Sequence, residues 1–296
     1  MQDILFMFHS VPVLFIFSVG LIALLFGSFL NVVIARLPIT LKQSWRKDCY
    51  EYLELSAPTP DQEECANKIT LLLPRSHCPK CKATLRAIDN IPIISYLFLR
   101  GKCHFCHEPI SIKYPVVEAL TCILCMLVAW KFGVTWQTVA GCVLTCVLIA
   151  QSGIDIENKI IPDEITLPIL WLGIILSLCP IFVNSQSSIL GAVAGYLVLW
   201  LIYWCFYLVT KKEGMGFGDF KLLAMLGAWL GWQMLPFLII FSSAIGSVVG
   251  VMFILFSKTD RNTRIPFGPF LAIAGWIALL CGPEINSWYL TYAGIY

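Results

Sequence analysis

Residues 11–35 read VPVLFIFSVGLIALLFGSFLNVVIA, an uninterrupted run with no charged side chain. A helix needs about 20 mostly apolar residues to cross a bilayer, so this run is expected to be a spanning helix. It is too long for the apolar core of a removable signal peptide, and the MQDI opening before it supplies no basic n-region. Arg36 closes it.

The pattern recurs along the chain. Further apolar runs lie at 114–130, 137–154, 165–183, 188–209, 220–232, 235–256 and 265–281. The run at 220–232 is short; it either begins within the preceding glycine stretch or forms a broken helix lining a cavity, where irregular backbone is tolerated. Composition agrees with a membrane chain: 58% of the 296 residues are hydrophobic and 13% charged, against about 25% charged in soluble domains. A soluble surface this apolar would not stay dispersed. The expected fold class is an all-α polytopic membrane protein of about eight transmembrane helices, with the lipid bilayer as its main partner.

Basic residues then orient the chain. With the N-terminus outside, twelve Lys/Arg from Arg36 to Lys113 face the cytosol. So do Lys159, Lys211, Lys212, Lys221, Lys258, Arg261 and Arg264, leaving Lys131 alone outside. This sorting follows the positive-inside rule and supports the span count. The net charge of +2 gives no reason to expect a nucleic-acid partner.

Three regions follow: a first span at 1–35, a cytosolic domain at 36–113, and a membrane domain at 114–296. Within the cytosolic domain, 39–69 is polar, carries PTPD at 58–61, and is expected to be a flexible insertion. The remainder holds four of the 13 cysteines as two C-x-x-C pairs, HCPKC at 77–81 and CHFCH at 103–107. Seven of the other nine cysteines lie in apolar runs, where cysteine packs as a small hydrophobe. Two knuckles at this separation suit a tetrahedral Zn²⁺ site on Cys78, Cys81, Cys103 and Cys106. A reducing cytosol disfavours disulfides, and so small a segment needs a metal for folding energy. The bland alternative is a set of reduced structural thiols. His77, His104 and His107 are substitute ligands, but four thiolates already close the site, which makes it structural rather than catalytic.

A second constellation consists of carboxylates at span ends. Asp155 ends the third span in IDIENKIIPD (154–163), and Asp219 opens the sixth in GMGFGD (214–219). The topology brings both to the cytosolic edge. Charged groups beside spans are costly and usually functional. Paired aspartates share a proton, one activating water while the other protonates a carbonyl oxygen, as in aspartic peptidases. Gly216 and Gly218 leave room for an extended peptide to approach the backbone. The plain reading of either aspartate alone is a helix cap or interfacial residue. An ion pathway or metal sensor also uses intramembrane acids, but usually at the midplane.

Together these motifs resemble the type IV prepilin peptidase family. GFGD (216–219) fits its G-x-G-D signature, continued by FKLL with Lys221. GSFLNVVIARLP (27–38) matches its first-span motif, and PRSHCPKC (74–81) with RGKCHFC (100–106) its zinc knuckles. IDIENKIIPD matches its first aspartate motif. The resemblance implies leader-peptide cleavage of type IV prepilins and secretion pseudopilins at the bacterial inner membrane. It also implies N-methylation of the new terminus, usually Phe, with S-adenosyl-L-methionine as donor. It assigns Asp155 and Asp219 as the catalytic pair, ahead of Glu157, Asp163 and Glu164. The alternative is a G-x-G-D protease without transferase activity, against which the knuckles argue.

No Rossmann-type glycine loop is present for the methyl donor. Asn31 and Arg36 in the first-span motif, and Gly101 between the knuckles, are candidates for methyl transfer. The plainer reading of all three is helix packing and anchoring. Glu118, just inside the second span, is either a polar-network partner or an interfacial residue.

Overall fold

The computed structural model describes residues 7–8, 10–54, 70–71, 73, 75–78, 80–86, 88–212, 214–256 and 266–292, with the side chains of 254, 289, 290 and 292 left out. The chain forms two compact units, Met1–Val134 and Thr135–Tyr296. Among the described residues the regular structure is helical, with two isolated bridges in the first unit.

In the first unit, α1 spans Pro12–Tyr52, α2 is the short helix Ile94–Phe98, and α3 spans Lys113–Phe132. The buried residues of α1 recur at Gly20, Ala23, Gly27, Leu30, Ile34, Leu37 and Leu41, alternating steps of three and four. That spacing makes one stripe. The opposite face bears the exposed Phe17, Leu21, Leu25 and Phe29, as lipid contact requires. The stripe packs antiparallel on α3. A Cβ on Gly20 would meet Met126 at 2.8 Å, and one on Gly27 would meet the Glu118 backbone at 2.9 Å. Small residues at such a contact let two helices approach closely where lipid supplies no hydrophobic drive.

One expectation is corrected. Residues 39–52 are not a flexible insertion: α1 runs without a break through Pro38 to Tyr52. Beyond Arg36 this stretch has no glycine and several good helix formers. Arg46 stacks over Tyr50 one turn on, 5.5 Å from the ring centroid. The rest of that segment, 55–69, lies outside the described residues, as do Cys65, Lys258, Arg261 and Arg264.

In the second unit, the helices are α4 (Trp136–Asn158), α5 (Asp163–Leu176), α6 (Ser185–Thr210), α7 (Phe217–Leu230), α8 (Leu235–Phe256) and α9 (Gly268–Tyr292). Each of the eight apolar runs therefore contains a helix. Six of these, α1, α3, α4, α6, α8 and α9, are long and apolar enough to cross a membrane. The protein is a multi-pass membrane protein. Helices α5 and α7 have 14 residues each, about 21 Å of helix against a core of roughly 30 Å.

Helix α7 solves its shortness by burial. From Asp219 to Leu230 every residue except Lys221 is buried. Its backbone meets that of α6 directly: a Cβ on Gly191 would lie 2.2 Å from the Gly227 carbonyl oxygen. Ser188 donates to the Ala228 carbonyl and the Trp229 indole to the Ile169 carbonyl. Helix ends surrounded by protein escape the cost of bare backbone in lipid. The helix starts at Phe217, inside the glycine stretch, as one of the two expectations had it.

Candidate functional site

Asp155 and Asp219 are assembled by three helix ends of the second unit. Asp155 lies in the last turn of α4, which stops at Lys159 in a left-handed conformation. Asp219 lies in the first turn of α7. They are 5% and 7% exposed, so neither has the surface setting of an ordinary interfacial aspartate. The two carboxylates are near enough to interact electrostatically. Asp155 accepts a hydrogen bond from the Gly268 N–H at 3.0 Å, placing its carboxylate at the N-terminus of α9. An exposed helix-end N–H is a ready partner for an anion. One oxygen of Asp219 is buried without a hydrogen-bond partner, which is costly unless a proton, water or substrate meets it.

Gly268 is the residue that sequence reasoning missed. A Cβ there would lie 2.7 Å from the Asp155 carboxylate and 3.1 Å from Ile161. A Cβ on Gly218 would meet the same Ile161 at 2.9 Å. Ile161 thus wedges between the starts of α7 and α9, and two glycines make room for it. The available signal was the PFGPF stretch at 266–270, read only as the edge of a span.

The supporting residues have distinct duties. Gly216 precedes α7, and a Cβ on it would come only to ordinary contact with Asp219. Lys221 pairs with Asp163 at 2.6 Å, tying α7 to α5. Gln151, one turn before Asp155, donates to Thr166 at 2.8 Å, and Thr166 donates to the Pro162 carbonyl. These bonds fix the turn between α4 and α5 behind the carboxylates.

The cysteine pairs of the first unit form two copies of one turn. Cys78 N–H donates to the Ala83 carbonyl while Lys82 N–H returns to Cys78. Cys103 N–H donates to Glu108 while His107 N–H returns to Cys103. Lys82 and His107 are left-handed at matching positions, and bridges His77–Thr84 and Lys102–Pro109 close each turn. The four sulfurs lie within 4.8 Å of one another, with Cys78 and Cys106 at 3.7 Å. Zn–S bonds of about 2.3 Å require sulfur separations of about 3.8 Å. The donor set fits a metal ion.

The metal-free thiols carry unequal proton affinities. Backbone N–H groups of Cys81 and Lys80 lower Cys78 to about 6. The Glu108 N–H pulls Cys106 down, but burial and hydrogen bonds to the other three thiols outweigh it, leaving Cys106 at about 11.

The methyl-transfer candidates meet differently. Asn31 donates to the Tyr114 carbonyl at 3.1 Å, and Arg36 donates to the carbonyls of Thr70 and Leu71. Both also line a cavity of about 460 Å³ in the first unit. Gly101 does not line it; it sits at φ 70°, where a Cβ would approach the Tyr96 hydroxyl at 2.9 Å. Tyr96 does line it.

Among the described residues, this is a helical membrane protein that buries two interacting aspartates at helix ends and gathers four thiols in one cluster. Family models match in two blocks. The bacterial peptidase A24 N-terminal domain covers residues 21–132, and the type IV leader peptidase family covers 142–251. The chain is 48% identical to a prepilin leader peptidase/N-methyltransferase of Aeromonas salmonicida, over 96% of both chains. It is 49% identical to one of Stutzerimonas stutzeri, also over 96% of both. With that of Pseudomonas aeruginosa it shares 48%, over 96% of this chain and 97% of the relative. No solved structure matches. The chain belongs to the type IV leader peptidase family.

Proposed function

We infer that this chain is a prepilin leader peptidase and N-methyltransferase. The observation that carries the peptidase half is that Asp155 and Asp219 are both buried at helix ends of one unit, near enough to interact electrostatically. We propose them as the catalytic residues. One carboxylate takes a proton from water, whose oxygen attacks the scissile carbonyl; the other gives its proton to the carbonyl oxygen. Collapse breaks the C–N bond as the first carboxylate passes the proton it took from water to the departing nitrogen, which leaves as the amine of the mature pilin. The Gly268 N–H holds Asp155 in place for this, and the glycines at 216 and 218 admit the extended substrate.

The substrates are type IV prepilins and secretion pseudopilins. The Lys/Arg distribution supports a periplasmic N-terminus and a site at the cytosolic face of the bacterial inner membrane. In the first unit, Cys78, Cys81, Cys103 and Cys106 hold one structural Zn²⁺, which binds the two knuckles together and leaves no ligand position open. Residues 36–113 serve methyl transfer, with S-adenosyl-L-methionine as donor, and Asn31, Arg36 and Gly101 shape its surroundings. Residues 114–296 carry the protease.

The test is incubation of the purified chain with full-length prepilin and the methyl donor, followed by mass spectrometry of the pilin. The expected product lacks the leader and is one methyl group heavier at its N-terminus. An uncut prepilin overturns the protease half. A cut but unmethylated product overturns the transferase half alone.

A further inference from the structure

The cavity of about 460 Å³ in the first unit is not part of the aspartate site; every residue lining it falls between Ser28 and Glu118. Its size is within the roughly 300–1,000 Å³ of small-molecule sites. The walls are built with unusual constraint. Glu118, itself buried, accepts the Ile93 N–H at 2.8 Å. Ile93 has φ 59° with ψ −46°, a positive-φ conformation outside the left-handed helical well that a β-branched residue adopts only under strain. Asp89, in the 3-10 turn Ile88–Asn90, lines the same space, and one of its oxygens is buried with no hydrogen-bond partner. Of the three acids on the wall, Glu108 is paired with Lys80, whereas Asp89 and Glu118 have no basic partner among the described residues. Arg36 and the Tyr96 ring are on the same wall, with Asn31, His77 and His104 among the other polar groups lining it.

We propose that this cavity binds the methyl donor, with Asp89 facing its positive sulfur. The proposal rests on the transferase reading above and names the site of that activity. A sulfonium nucleoside carries two positive centres, the sulfur and the α-ammonium, and one carboxylate. Two unpaired acids and one guanidinium reproduce that charge pattern in reverse. A tyrosine ring offers a face for a base or for the sulfonium. A lipid chain, by contrast, would leave these carboxylates buried without partners.

The chemistry balances without any further reactant. The neutral N-terminal amine attacks the methyl carbon, an N–C bond forms, and the C–S bond breaks with its electron pair staying on sulfur. The positive charge passes from sulfur to nitrogen, and the products are a methylated ammonium and a neutral thioether. Asp89 stands against that charge both before and after the transfer.

The experiment is binding to the purified full chain in detergent, with S-adenosylmethionine and its demethylated thioether, S-adenosylhomocysteine, as the two probes. Asp89→Asn should weaken the sulfonium about thirtyfold or more and the thioether by less than about threefold. Asp89→Glu, which keeps the charge, should retain most of the preference for the sulfonium. Misfolding reduces the number of sites for both probes and leaves the ratio of affinities unmoved. If both Asp89→Asn and Asp89→Glu lose both probes, or if Asp89→Asn keeps the wild-type ratio, the assignment is wrong. If the wild type neither binds the donor nor methylates mature pilin, the transferase reading itself has failed. If the wild type methylates while Asp89→Asn is unaffected, only the cavity assignment falls.

Discussion

The two units hold reactive groups in opposite ways. In the second, Asp155 and Asp219 are buried by helix packing: close backbone contacts such as Gly191–Gly227 bring the helix ends together. In the first, the described residues of the cysteine segment include few buried apolar side chains; between Thr70 and Ile112 these are Cys78, Pro92 and Cys103. Geometry there comes from the two matching turns, which gather four thiols able to hold a metal ion. A packed core can hold two carboxylates without a cofactor, whereas a small polar segment needs a metal to supply the missing folding energy.

The sharpest way to break that contrast is to remove a carboxylate. Asp155→Asn or Asp219→Asn should lower leader cleavage by about a thousandfold or more, with the protein still accumulating in membranes. Methylation of a pilin supplied already cut should persist in both. Loss of that second activity in well-folded Asp219→Asn, read by mass spectrometry of the pilin N-terminus, would show that the two chemistries are not independent.

Next in size is the metal. Cys78→Ser or Cys103→Ser should abolish stoichiometric zinc, measured by elemental analysis, and expose segment 70–110 to protease. Cleavage of prepilin should change by less than methylation does. Protonation competes with the metal, so a chelator should strip zinc faster below pH about 6, where Cys78 gains its proton, than at neutral pH. Cys106, held at about 11, must lose a proton to bind metal at neutral pH. Zinc loading should therefore acidify a weakly buffered solution, and an indicator dye checks this.

Gly268→Ala probes packing precision. The new Cβ would lie 2.7 Å from the Asp155 carboxylate, and a displacement of about 1 Å can cost roughly a hundredfold in rate. Cleavage should drop by about that factor while zinc content stays at the wild-type value. The smallest effect belongs to the Lys221–Asp163 pair, whose side chains are 30% and 47% exposed. Solvent screening limits such a pair to about 1 kcal/mol or less. Lys221→Met should shift the thermal midpoint by only a few degrees and leave kcat nearly unchanged; a large fall in kcat would give Lys221 a direct part in catalysis.

Much was legible in the chain because membrane insertion and metal binding are local requirements. An apolar run of spanning length must become a helix, since lipid leaves its backbone no other partner. Each of the eight runs contains one. Two C-x-x-C pairs placed four thiols in one cluster because each pair is already a turn. G-x-G-D and the aspartate after the third apolar run named two acids that the structure buries at helix ends of one unit. The extent of α1 is not legible from polarity, because the polar residues after Arg36 still favour helix and helix propensity does not depend on burial.

What the chain alone decided, then, is what each segment must be: spanning helix, cysteine knuckle, or buried acid at a helix end. Tertiary structure decided which segments meet. The Gly268 N–H reaches Asp155 across 113 positions, and Asn31 reaches the Tyr114 carbonyl across 83. The shortness of α7 became tolerable only once neighbouring helices covered it. The cavity beside Asp89 and Glu118 likewise exists only between packed elements. Periodicity and composition report the solvent each residue wants, lipid or water or metal. They carry no information on which distant backbone group will satisfy a given side chain, because that depends on how closely the helices can approach.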